Sequence, residues 1–79
     1  MIGYEIESID ANESMIVIKT LPGRAQGVAE IIDSAHHPAV LGTLAGDNTI
    51  FVTPSSVAMI PEIQKLLKDL MTQKKREVA

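Results

Sequence analysis

The chain has 79 residues, a formal net charge of −3, no cysteine and only two aromatic residues, Tyr4 and Phe51. Such a length makes one small domain that buries only roughly 60% of its unfolded surface; the missing cysteines exclude disulfides and thiolate metal sites, and the acidic balance argues against phosphate backbone as the main partner. Hydrophobic residues still reach 46%, more aliphatic surface than so small a core can hold, and self-association is the expected outlet.

Tyr4 to Asp10 alternates apolar and acidic residues, which predicts a half-exposed strand with Tyr4, Ile6 and Ser8 on one side and Glu5 and Glu7 on the other. Residues 11–14, Ala-Asn-Glu-Ser, are turn material. Met15-Ile16-Val17-Ile18 is a β-branched run suited to a strand buried on both faces, pairing with the first strand as an antiparallel hairpin. Leu21-Pro22-Gly23 ends it, since proline donates nothing to a ladder.

A helix is predicted over Arg24 to Ala35. Ala25, Val28, Ala29, Ile32 and Ala35 form one apolar face, and Gln26, Glu30 and Asp33, at i, i+4 and i+7, form a polar stripe. That stripe reads either as a solvated face or as one wall of a polar ligand site. His36-His37-Pro38 closes the helix; two adjacent histidines project apart, so a metal site would need partners from elsewhere. Ser34 has no nucleophile signature around it.

Val40 to Ala45 and Thr49 to Thr53 flank Gly46-Asp47-Asn48, the pattern of a tight β-hairpin. Glycine and asparagine tolerate positive φ, and a carboxylate, Asp47, is presented at a stiff tip. Pro54-Ser55-Ser56 is a break and a potential cap. A last helix starting near Pro61 repeats apolar residues at Ile63, Leu66, Leu67, Leu70 and Met71. Lys74-Lys75-Arg76 at its end complements the helix C-terminal partial charge. The expected fold is α+β, in the order ββαββα, an antiparallel four-stranded sheet with two helices packed on one face. No run approaches the roughly 20 apolar residues of a membrane span, and no charged-then-apolar leader opens the chain, so a cytoplasmic setting is expected.

Three separated motifs, Leu21-Pro22-Gly23-Arg24-Ala25-Gln26, Ile31-Ile32-Asp33-Ser34 and Gly42-Thr43-Leu44-Ala45-Gly46-Asp47-Asn48-Thr49-Ile50, together resemble the C-terminal domain of bacterial arginine repressors. The resemblance covers nearly the whole chain and is weakest after Pro54. It implies an arginine-sensing and oligomerisation domain of a transcriptional repressor for arginine genes. In that family three subunits form a trimer, trimers pair into a hexamer, and L-arginine, the co-repressor, binds where the trimers meet; no other cofactor is expected. In the family a winged helix-turn-helix domain reads DNA. This chain starts directly at the sensor domain, as an excised piece would.

Carried over residue by residue, the resemblance makes Asp47 the main guanidinium partner and gives Thr43 and Ala45 the α-amino and α-carboxyl end of the ligand, partly through main chain. Asp33 supplies charge to an ammonium and Gln26 neutral hydrogen bonds. Glu30 gains no role. A guanidinium is a planar fork of donors that one carboxylate can accept in pairs, so an acid on a rigid hairpin suits it. Where the family has a second acid this chain has Asn48. At an effective dielectric near 20 and about 4 Å, the lost charge removes on the order of 4 kcal/mol of gross attraction, and about 1–2 kcal/mol net, roughly tenfold in affinity. Two rivals stay open: an oligomerisation module without ligand, for which Asn48 argues, and a small enzyme using Asp33, His36 or His37 as acid or base, which lacks a nucleophile paired with a base.

Overall fold

Large aliphatic side chains at alternate positions of two central strands build the core. The computed structural model describes the backbone of residues 5–78 and the side chains of residues 5–70; Tyr4 and the side chains of Met71, Lys74, Lys75 and Arg76 lie outside what it describes. The elements run β1 (Ile6–Ala11), β2 (Ile16–Thr20), α1 (Ala25–Ser34), β3 (Val40–Ala45), β4 (Thr49–Pro54), a 3-10 turn (Val57–Met59) and α2 (Ile60–Val78). This is the expected ββαββα order.

The four strands form one antiparallel sheet in the order β1-β2-β4-β3. Each hairpin pairs its own strands, and β2 and β4 join the two hairpins. Ile16, Ile18, Ile50 and Val52 are fully buried on one face, where Ala25, Val28, Ala29 and Ile32 of α1 and Ile60, Ile63 and Leu67 of α2 complete the core. A side-chain period of two on the strands and of 3.6 on the helices meets there. Ala35, expected on the apolar face of the first helix, is exposed, because α1 ends at Ser34.

Two expectations about the strands need correction. The register of β1 shifts between Ile6 and Ser8: Ile6 opposes Thr20, yet Ser8 opposes Lys19 and Ile9 opposes the buried Ile18. The extra residue of this β-bulge reverses the alternation, so Ser8 leaves the side of Ile6 and Ile9 turns toward the core. β2 is buried on one face only; Val17 is half-buried and Lys19 exposed, because both helices cover the opposite side. The uncovered face carries Val17, Phe51 and Leu44, aligned across β2, β4 and β3, with Phe51 43% and Leu44 72% exposed.

The turns are locally determined. Asn12 Oδ1 accepts from the backbone N–H groups of Ser14 and Met15 at 2.8 and 2.9 Å, closing the first hairpin. Gly23, between β2 and α1, has φ +78, the left-handed region open to glycine. Ser56 precedes the 3-10 turn without a side-chain cap bond.

Candidate functional site

The tip of the β3–β4 hairpin is held by main chain from three elements. Gly46 N–H donates to Thr49 O at 2.9 Å across the turn, Ala25 N–H at the start of α1 donates to Asp47 O at 3.1 Å, and Thr20 N–H at the end of β2 donates to Asn48 O at 2.8 Å. Neither Gly46 nor Asn48 adopts positive φ, so the turn closes without the left-handed conformation expected of it. Its rigidity comes from long-range partners instead. The carbonyls of Asp47 and Asn48 are thereby occupied and the Asp47 carboxylate is left exposed.

Asp47 borders a hollow of about 340 Å³ together with Gly23, Gln26 and Gly46. Gln26 also lines a second groove, of about 510 Å³, between α1 and β3, with Glu30, Asp33, Ser34, His36, Thr43 and Ala45. Volumes of this size suit a small molecule. Asp33 and Thr43 connect the two walls: Thr43 Oγ1 lies 3.0 Å from both carboxylate oxygens of Asp33, to which it donates. That bond orients the acid while leaving most of its acceptor capacity free. The lining residues of the two hollows include three acids and no lysine or arginine. A cationic small molecule is the ligand such a surface favours.

Five of the six residues singled out for a ligand, Gln26, Asp33, Thr43, Ala45 and Asp47, thus border two hollows that share Gln26. Asn48 lines neither. Its Oδ1 accepts from Thr49 Oγ1 at 3.1 Å, and Thr49 Oγ1 in turn accepts from Lys19 Nζ at 3.0 Å, so the side chain is engaged toward the outer face of the sheet. His36, read in sequence as a helix-end residue and, in the enzyme rival, as an acid or base, lines the groove at φ +50; a histidine just before His-Pro at a helix end was the available signal.

Ser34 Oγ donates to Glu30 O at 2.8 Å within α1. His37 Nδ1 accepts from Ala39 N–H at 3.0 Å, and its Nε2 lies 3.9 Å from a Glu62 carboxylate oxygen. Among the described residues no hydroxyl is paired with a histidine base, and no group of three or more His, Asp or Glu side chains could hold a metal ion. No helix among them is long and apolar enough to cross a membrane.

Every polar side chain of the site is exposed or half-buried in the single chain. Water screens charges so placed, and a ligand held by one chain alone would gain little from them. A covering surface is required for tight recognition.

Residues 3–69 match the family model described as "Arginine repressor, C-terminal domain". The chain is 45% identical over 73 residues to an arginine repressor of Chlorobium phaeobacteroides (strain DSM 266 / SMG 266 / 2430), covering 92% of this chain and 49% of that protein. It is 48% identical over 69 residues to one of Chloroherpeton thalassium, covering 87% and 47%, and 57% identical over 63 residues to one of Chlorobium phaeobacteroides (strain BS1), covering 80% and 43%. The chain spans about half the length of these relatives.

Proposed function

The chain belongs to the arginine repressor C-terminal domain family, and on that premise we propose that it is the ligand-sensing and oligomerisation part of an arginine-dependent transcriptional repressor. L-Arginine is the co-repressor, held between subunits; trimers pair into a hexamer, and DNA is read by a domain outside this chain. The observation that carries the reading is the acid-lined pair of hollows joined at Gln26, with the Asp47 carboxylate on a tip fixed by α1 and β2.

In this account Asp47 accepts the guanidinium in a bidentate pair, because a carboxylate on a fixed backbone loses little entropy in orienting toward a planar fork. Asp33, oriented by Thr43, takes the α-ammonium, and Gln26 between the hollows hydrogen-bonds along the ligand. Thr43 and Ala45 bring β3 main chain to the amino-acid end. Asn48, which lines neither hollow, reaches the ligand of a neighbouring subunit. The uncovered Leu44, Phe51 and Val17 supply apolar surface for association. A ligand buried only in the assembly stabilises the assembly by mass action, about 2.7 kcal/mol at a hundredfold excess over Kd. A regulator of this kind works in the cytoplasm and performs no bond-making chemistry.

Calorimetric titration of L-arginine into the chain and its Asp47→Asn variant tests the reading: the parent binds and the variant loses roughly tenfold or more. Equal affinities would remove Asp47 from the site. The alternative, an oligomerisation module without ligand, is not favoured by the family match; its one support is that the Asn48 side chain is bonded away from the hollows. An oligomeric state indifferent to arginine would establish that reading instead.

A further inference from the structure

Arg24 is an unusual residue for its place. It is the N-cap of α1, where its side chain makes no capping hydrogen bond, although serine, threonine, aspartate and asparagine are the residues that satisfy a helix start. Its charge also meets the positive end of the helix dipole, and no acid stands in the first turn to offset it. The local rules of helix formation give no reason for an arginine here.

Its surroundings supply one. Gly23 before it and Gln26 two residues after it line the hollow that Asp47 borders, and Ala25 N–H donates to Asp47 O at 3.1 Å. Arg24 is absent from that lining. Its guanidinium is drawn aside instead: Arg24 Nε lies 3.6 Å from Glu5 Oε1, with the Arg24 side chain 63% exposed and that of Glu5 18%. Glu5 is itself placed by main chain, since Leu21 N–H donates to Glu5 O at 2.8 Å and Arg24 N–H to Leu21 O at 3.1 Å. The residue before β1, the turn before α1 and the β3–β4 tip thus bring one guanidinium between two acids.

We propose that Glu5 and Arg24 set the affinity of the site for its cationic ligand: Glu5 holds the Arg24 guanidinium off Asp47, and a released Arg24 competes for that carboxylate. The inference rests on the arginine-sensor reading and adds to it two residues outside the lining of either hollow. An arginine side chain on the residue preceding Ala25 is long enough to reach either acid. A carboxylate paired with it has fewer acceptor sites for a second guanidinium and carries a neighbouring cation that repels one. Water screens a pair this exposed, so the effect is a small factor in affinity.

Calorimetric titration of L-arginine into the parent chain, Glu5→Gln, Arg24→Gln and the double variant tests the proposal, with matching thermal midpoints verifying the fold. Arg24→Gln is expected to bind arginine about twofold to threefold more tightly than the parent, and Glu5→Gln about threefold to fivefold more weakly. In the double variant the loss caused by Glu5→Gln disappears, because no cation remains to be released, and arginine binds as tightly as to Arg24→Gln. That non-additivity separates the tether from a purely structural role of Glu5 and from a general loss of negative charge, both of which persist without Arg24. The exposed Arg24 side chain can be replaced without loss of the fold, so the gain from Arg24→Gln decides the matter even where Glu5→Gln does not fold. No gain from Arg24→Gln, or equal weakening by Glu5→Gln in both backgrounds, overturns the inference and leaves the sensor intact. Weaker binding by Arg24→Gln makes Arg24 a ligand or subunit contact and overturns it as well. A parent chain that binds no arginine overturns the sensor reading, and this inference with it.

Discussion

At the scale of single residues, Asp47 and Asn48 are neighbours with different positions. Asp47 borders the hollow shared with Gln26, whereas Asn48 Oδ1 lies in the Thr49 and Lys19 chain of hydrogen bonds. The run Gly46-Asp47-Asn48 was enough to locate the hairpin tip from sequence, and the acid with it. What fixes that tip was not legible: the donors from Ala25 and Thr20 arrive from residues more than twenty positions away, and no local pattern announces them. Asn48→Asp puts a charge at the tip, near Lys19, which bonds the same Thr49 hydroxyl. If a neighbouring subunit brings ligand to this position, arginine affinity measured by calorimetry rises, by up to about tenfold and less where Lys19 offsets the new charge. Unchanged affinity would mean that position 48 serves the outer face of the sheet alone.

Among elements, α1 is the one whose placement sets the site, since Gln26, Glu30 and Asp33 all project from it. Its entry depends on Gly23 at φ +78, where an added Cβ would meet no atom within 4 Å. Gly23→Ala therefore isolates the backbone cost of a left-handed conformation, about 1 kcal/mol or somewhat more. For a domain this small the thermal midpoint falls by about 4–8 °C per kcal/mol, and scanning calorimetry reads it directly. No change in midpoint would show that the turn relaxes to another conformation. Helical periodicity in sequence located α1 within one residue at each end, and the buried set Ala25, Val28, Ala29 and Ile32 was visible as well. The phase of β1 was not, because a bulge after Ile6 adds a residue without any glycine or proline to mark it. Sequence alternation assumes an unbroken ladder, and here the ladder is interrupted.

The sheet as a whole presents one covered face and one bare one. Phe51 and Leu44 oppose each other across β3 and β4, and Val17 opposes Phe51 across β2. The high aliphatic content of the chain anticipated surplus apolar surface, though not which face would carry it; that follows from both helices packing on the same side. Phe51→Lys puts a charge at the centre of the bare face. Because Phe51 is 43% exposed, the variant retains the core, and its association, followed by sedimentation at several concentrations, shifts toward the monomer. Association equal to that of the parent would move the interface elsewhere. The central claim joins this surface to the acid-lined hollows: a cationic amino acid held at Asp47 is buried by a second copy. Sedimentation velocity with and without L-arginine, on the parent and on Asp47→Asn, tests it most directly. The account predicts an arginine-dependent shift to a larger species for the parent that Asp47→Asn loses; a parent distribution that does not respond to arginine would contradict it.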